Sequence, residues 1–371
     1  MKKMNINEPF VLESGEVLPN LEITYYTFGQ LNSDASNVVW VCHALTGDAN
    51  VLDWWPGLVG EGKVIDPNKD FIVCTNTLGS CYGTTGAASI NPETGKKYGA
   101  DFPFISIRDM VQAQQVLQKY LGIQKVKLGL GGSMGGQQLL EWAIIAPFLF
   151  ENICLLATNA RFSPWGIAFN ESQRMAIYAD LAQYEGKENA GKEGLKAARA
   201  IAMLSYKTYE RYSNTQEEQS NEVVHNFKAS TYQQYQGEKF WNRFDVQAYL
   251  CLTKAMDSHN VGRNRGGEAE ALQSIKARTL IIGITSDVLF PIGEQAFLHK
   301  HIPFSQFATI QSFDGHDGFL TETAKITDIL RPFRENKTDL KKKPSIFWSP
   351  ALQNSFYKKT KDWALPGTEA F

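Results

Sequence analysis

The chain has 371 residues, 43% of them hydrophobic and 20% charged, with a formal net charge of −2. That length allows one catalytic domain with a substantial insertion, and the near-neutral balance leaves no electrostatic case for nucleic acid or an anionic membrane surface as partner. The first residues turn polar before any apolar run long enough for a signal peptide, and no stretch approaches the roughly 18 apolar residues of a membrane span, which points to a cytoplasmic protein. Five cysteines (Cys42, Cys74, Cys81, Cys154, Cys251) without Cys-x-x-Cys spacing read as buried reduced thiols. The six histidines show no metal-ligand spacing, so no metal is expected.

Residues 8 to 31 hold two strand-like runs, the second being Leu21 to Phe28, separated by Leu18-Pro19-Asn20 and read as an antiparallel hairpin at a sheet edge. Asn37 to Cys42 is almost continuously apolar, as in a strand buried on both faces of a parallel sheet. It runs into His43-Ala44-Leu45-Thr46-Gly47-Asp48. A second such run, Phe71 to Cys74, opens a loop from Asn76 to about Pro103, and loops of that length inside a compact domain are usually functional. Helical spacing over 109–121 ends at Gly122.

The stretch Leu130-Gly131-Gly132-Ser133-Met134-Gly135-Gly136 then carries Gly-x-Ser-x-Gly between a strand over 125–130 and a helix over 137–146 stopped by Pro147. Strand, tight turn and helix form the context of a nucleophile elbow, in which side chains at Gly131 or Gly135 would clash and the serine is pushed outward. A further strand is expected over 153–157, and helical, aromatic-rich sequence interrupts the alternation over 161–270. Alternation resumes with a strand over 279–284, a helix from Pro291, a strand over 307–310 and a helix over 319–330. The fold class implied is α/β: a mostly parallel twisted sheet with right-handed crossovers and helices on both faces. The organisation expected is a catalytic domain over 1–160 and 271–335, an inserted helical lid over 161–270 and a tail over 336–371, with Lys341-Lys342-Lys343 in it.

A serine nucleophile needs a base and an acid to orient it, in the chain order serine, aspartate or glutamate, histidine. Asp287 lies just past the strand ending at Ile284, and His316 lies past the last strand, both at the carboxyl ends where such sites gather. Taken singly, Asp287 reads equally well as a helix cap and His316 as a turn histidine beside Asp314; their agreement in order and position with Ser133 favours a triad. An oxyanion hole is expected from the backbone N–H of Met134 and an N–H at Leu45 or Thr46. His43 is expected to pack under its loop, since a dyad with Cys42 would need successive strand residues to share a face.

His43 to Ala49, Asn76 to Gly86, Gly131 to Gly136 and Gly315-His316-Asp317 together resemble the homoserine O-acetyltransferases of the α/β-hydrolase fold, and the likeness runs over about residues 8–330. It extends through the insertion, where Tyr235 to Phe240, Arg243-Phe244-Asp245, Tyr249-Leu250 and Lys254 to Asp257 look like that family's helical lid. The resemblance implies acetyl transfer from acetyl-CoA, a substrate and not a resident cofactor, to the hydroxyl of L-homoserine, an early step of methionine synthesis. It also implies a homodimer formed through the lid. It places Ser133, Asp287 and His316 in the triad and Arg199 and Asp317 at the amino-acid substrate. Arg199 and Tyr206 are seven residues apart in a helical segment, so both can face one ligand. Ala87, Val288 and Gly318 depart from residues common in the family, and related enzymes use succinyl-CoA or serine. With water as acceptor the same triad is an esterase; a catalytically silent binding module would have lost a triad member, and none is lost.

Overall fold

The computed structural model of the chain describes residues 1–183, 187 and 189–337. Most of the expected tail, from residue 338 on and including Lys341 to Lys343, lies outside the described residues. Ten strands are described: β1 (Lys2–Ile6), β2 (Phe10–Val11), β3 (Val17–Leu18), β4 (Leu21–Phe28), β5 (Val38–Cys42), β6 (Phe71–Thr75), β7 (Val126–Gly132), β8 (Phe150–Leu156), β9 (Arg278–Ile284) and β10 (Ser305–Ile310). Eight of them form one sheet in the order β1-β4-β6-β5-β7-β8-β9-β10, with β4 antiparallel to its neighbours and the pairs from β6 to β10 parallel.

In β5 all five residues are buried, because the sheet is covered on both sides. Val38, Trp40 and Cys42 join one core and Val39 and Val41 the other, the period of two that a strand imposes. Trp40 meets Trp142 edge to face at 5.0 Å and donates its indole N–H to Gln114 at 2.8 Å, which satisfies the one polar atom it buries.

The helices α1 (Val51–Trp54), α2 (Ile107–Tyr120) and α3 (Met134–Ile145) lie between the early strands. The start of α2 is fixed by a capping box in which Ser106 and Asp109 satisfy each other's backbone N–H, so the helix begins two residues before the apolar stripe suggested. The expected insertion contains α4 (Pro164–Gln183), α5 (Lys192–Tyr206), α6 (Tyr209–Gln216), α7 (Lys228–Trp241), α8 (Val246–Asp257) and α9 (Glu268–Gln273). It leaves and rejoins the sheet layer at one neck, where Phe162 N–H donates to His259 O at 3.0 Å and Val261 N–H to Ala160 O at 2.9 Å. After it come α10 (Ile292–His301), α11 (Gly318–Thr321) and α12 (Thr323–Arg334). Among the described residues no helix is long and apolar enough to cross a membrane.

Two expectations are corrected. The edge hairpin does not join residues 8–17 to β4: the partner of β4 is β1, with Ile6 opposite Leu21, while β2 and β3 form a separate small ribbon. The strand β1, Lys-Lys-Met-Asn-Ile, is mostly exposed, and the lysines that protect a sheet edge from further pairing also hide it from an apolar pattern. The final helix is two helices broken at Glu322, and the second continues through Pro332 to Arg334.

Candidate active site

The strands β5 and β7 pair at the point where the chain stops building the sheet in one direction and starts in the other, and their carboxyl ends open the crevice in which such sheets place ligands. Ser133 sits there with φ 55° and ψ −127°, a conformation that costs a non-glycine residue roughly 1 to 3 kcal/mol and persists only where its surroundings enforce it. They do so through hydrogen bonds and close packing. Ser133 N–H donates to Leu156 O at 3.0 Å, and its carbonyl accepts from the Thr158 hydroxyl at 2.9 Å. A Cβ at Gly131 would lie 2.4 Å from Gly135 O, and one at Gly135 would lie 2.0 Å from Cys42 O, so only glycine permits the turn at either position.

The structure brings the three expected partners together. Ser133 Oγ is 2.9 Å from His316 Nε2, and His316 Nδ1 is 2.7 Å from Asp287 Oδ2. All three residues are buried. The other oxygen of Asp287 accepts the N–H groups of Leu289 and Phe290, both at 2.9 Å, so the carboxylate caps its turn and holds the imidazole at once. Phe290 stacks on the His316 ring at 4.9 Å, with Phe319 at 5.3 Å and Tyr206 at 5.8 Å around it. Asp314 does not serve His316; it pairs with Lys207 at 3.3 Å and Arg211 at 3.1 Å.

Met134 is the first residue of α3, so its N–H has no intrahelical acceptor. Leu45 lies in a turn closed by Gly47 N–H on Ala44 O at 2.9 Å, and among the described residues the Leu45 N–H meets no backbone acceptor. His43 is buried under this loop, its Nδ1 2.8 Å from Ala44 O and its Nε2 accepting Thr77 N–H at 3.0 Å; burial lowers its pKa, and both ring nitrogens are engaged away from Ser133. The neighbouring Cys42 thiol is pushed up to about 12 by burial.

Ser133 and His316 open into a cavity of about 680 Å³ whose lining also includes Leu45, Arg199, Tyr206 and Asp317. Arg199 reaches it from α5, its guanidinium 5.1 Å from the Phe240 ring and 5.6 Å from the Tyr206 ring. Among the described residues Arg199 makes no ion pair or hydrogen bond, which leaves its five donors for a ligand. Burial raises the Tyr206 pKa. Asp317 is already engaged by Lys207 at 3.0 Å.

A family model of the alpha/beta hydrolase fold matches residues 37–323. The chain is 48% identical over 326 residues to a homoserine O-acetyltransferase of Cyclobacterium marinum, covering 88% of this chain and 93% of that protein. The chain belongs to the homoserine O-acetyltransferase family of the α/β-hydrolase fold. A solved homoserine O-acetyltransferase from Bacillus anthracis superposes with a TM-score of 0.81 at 25% identity, covering 92% of this chain and 98% of that one. Esterase E22 superposes equally well, at 0.81 and 25% identity over 90% of this chain and 99% of that one. The fold therefore accommodates both a transferase and an esterase, and the cavity must distinguish them.

Three neighbours of the site carry no signal of their own in the sequence. Lys207 lies just past the α5 helix and belongs to no motif, and Tyr82, in a loop without periodicity, and Arg243, just past α7, stand out only within stretches of family likeness. A fourth, Glu294 on α10, lies behind the triad. Burial pushes its carboxyl up to about 7, opposed by the amide of Asn159 donating at 2.9 Å and reinforced by the like charge of Asp287. An unfolded glutamate ionises near 4.5, so between that value and about 7 the folded chain holds a proton that the unfolded chain has lost. Stability contributed by this group is present at low pH and is lost as pH rises through that window. Glu294→Gln should therefore match the parent near pH 4.5 and exceed it above pH 7, by on the order of a few kcal/mol. Urea unfolding of both proteins across that range checks this, and a difference that does not widen with pH refutes it.

Proposed function

We propose that the chain transfers an acetyl group from acetyl-CoA to the side-chain hydroxyl of L-homoserine by double displacement, a step of methionine synthesis. The observation that carries the reading is an unpaired arginine, Arg199, in the same cavity as a serine already hydrogen-bonded to its base. His316 Nε2 takes the proton of Ser133 Oγ as that oxygen attacks the thioester carbonyl, and the N–H groups of Met134 and Leu45 receive the oxyanion. Collapse expels the CoA thiolate, which takes the proton from His316. The homoserine hydroxyl then gives its proton to His316 and attacks the acetyl-enzyme, and Ser133 recovers its proton as the ester leaves.

Arg199 suits the carboxylate of the acceptor, because a guanidinium fork binds a carboxylate bidentately. Asp317, with one oxygen on Lys207, offers its remaining acceptor capacity to the ammonium group. A plain esterase needs neither charge. We take residues 1–160 and 271–335 as the catalytic domain and 161–270 as its lid, and a homodimer formed through that lid. Leu204, Tyr209 and Val224 in this region are 58%, 82% and 80% exposed, which suits a face covered by a second copy.

Incubation with acetyl-CoA alone should add one acetyl group to the peptide carrying Ser133, and initial rates at varied acetyl-CoA and homoserine should give parallel double-reciprocal lines. Absence of the adduct together with intersecting lines would overturn the double displacement. Succinyl-CoA and serine, assayed in the same way, separate this donor and acceptor from the related pairs.

A further inference from the structure

We propose that Arg243, two residues past the end of α7, is a positioning residue for the oxyanion hole: it ties the loop carrying Leu45 to the lid, so that the lid completes the acylation machinery as well as covering it. The inference rests on the acyl-transfer reading of Ser133.

Arg243 Nη1 donates to Thr46 O at 2.8 Å and to the Tyr82 hydroxyl at 2.7 Å, and Nη2 lies 3.4 Å from Thr46 Oγ1. These contacts join segments 197 and 161 residues apart, so nothing in the local chain enforces them. Thr46 directly follows Leu45 in the turn closed by Gly47 N–H on Ala44 O. A turn of four residues held at one carbonyl by its own hydrogen bond and at another by a cation has little freedom left to rotate the Leu45 peptide. An oxyanion donor acts only when it is already aimed at the position the charge will occupy, and a misplaced one loses most of its effect.

The arginine is itself held in place. Its guanidinium lies 5.2 Å from the centre of the Phe240 ring; Phe240 stacks on Phe244 at 5.0 Å; Phe244 packs edge to face on Tyr82 at 5.8 Å. The result is a closed circuit from α7 through Tyr82 to the loop after β5. Arg243, Tyr82, Leu45 and Thr46 all line the cavity of Ser133, so the circuit stands at the reacting centre.

The test uses the full-length protein, 4-nitrophenyl acetate as acyl donor, and a methyl trifluoromethyl ketone as oxyanion probe. Ser133 Oγ adds to the ketone carbon, its proton passes to His316, and the hemiketal oxygen is left as an anion in the hole. Arg243→Met keeps the aliphatic stem and removes the donors. It should slow acylation of Ser133 by about tenfold or more and weaken the ketone by a similar factor, with the KM for homoserine little changed. Tyr82→Phe should cause a smaller loss, and the double variant should lose less than the product of the two, because both act on one loop. Arg243→Lys should recover part of the ketone affinity, which a general loss of packing would not restore.

Unchanged acylation and ketone affinity in Arg243→Met would overturn the inference, as would a loss confined to the KM for homoserine. Should Arg243→Met not fold, unchanged acylation and ketone affinity in Tyr82→Phe overturn it. A parent protein that never acylates Ser133 fails the function reading and takes this inference with it. An active parent with an indifferent Arg243→Met fails this inference alone.

Discussion

Replacing Asp287 by asparagine is expected to lower kcat by about four orders of magnitude while leaving the fold and the KM for homoserine near those of the parent, the scale seen when the base of a triad is held in the wrong tautomer. The local geometry makes the direction of the effect specific. One carboxylate oxygen of Asp287 accepts two backbone N–H groups, from Leu289 and Phe290, and the other accepts His316 Nδ1–H at 2.7 Å. An asparagine must therefore keep its carbonyl oxygen toward the two N–H groups, because its amide there would set donors against donors. That choice turns the amide NH₂ toward His316 Nδ1. The imidazole then carries its proton on Nε2 and donates to Ser133 Oγ, where it must accept. Single-turnover acetylation from acetyl-CoA measures the loss, and an unfolding midpoint close to that of the parent shows that structure is retained. Turnover within tenfold of the parent would remove Asp287 from the reaction.

The parts of this site legible in the sequence are those fixed by local backbone geometry. The glycines around Ser133 announce a turn that tolerates no Cβ, and the apolar runs of β5, β7 and β9 carry the segments after them to one edge of the sheet. Asp287 and His316 come just after strand ends, so order and position were enough to bring them to Ser133. The illegible parts depend on contacts between distant segments. Lys207 and Arg243 are ordinary helix-end cations in sequence, and their partners lie more than 100 residues away: Asp314 for the one, Thr46 and Tyr82 for the other. The edge strand β1 was hidden for a different reason, since an edge is stabilised by backbone pairing and protected by charge rather than marked by apolar alternation. The break at Glu322 has no glycine or proline beside it to announce it. Glu294 is likewise an exposed-looking acid in sequence; its burial, reinforced by the like charge of Asp287, pushes its carboxyl up to about 7.

Removing the Arg199 guanidinium is expected to raise the KM for homoserine by roughly thirtyfold or more while acetylation of Ser133 in the absence of homoserine stays nearly unchanged. In the proposed arrangement the two ends of the acceptor would not be held equally. The ammonium would meet Asp317, whose charge is already opposed by Lys207 at 3.0 Å, so the attraction left for a second cation is reduced. The carboxylate would meet Arg199, which lies beside the rings of Phe240 and Tyr206 and among the described residues makes no ion pair. Truncating one partner of a hydrogen-bonded charge pair costs about 2 to 5 kcal/mol, and a half-buried arginine belongs at the lower end, which sets the factor above. Arg199→Lys should recover less than half of this in free energy, because an ammonium cannot bind a carboxylate bidentately. The acceptor without its clamp also loses the positional advantage that lets its hydroxyl outcompete water at the acetyl-enzyme, so the share of acetyl-CoA lost to hydrolysis should rise. Steady-state rates with acetate and O-acetylhomoserine measured separately decide the matter. If acetylation falls in parallel and homoserine affinity is kept, Arg199 serves the CoA side or the packing of α5, and the acceptor carboxylate must be held elsewhere in the cavity.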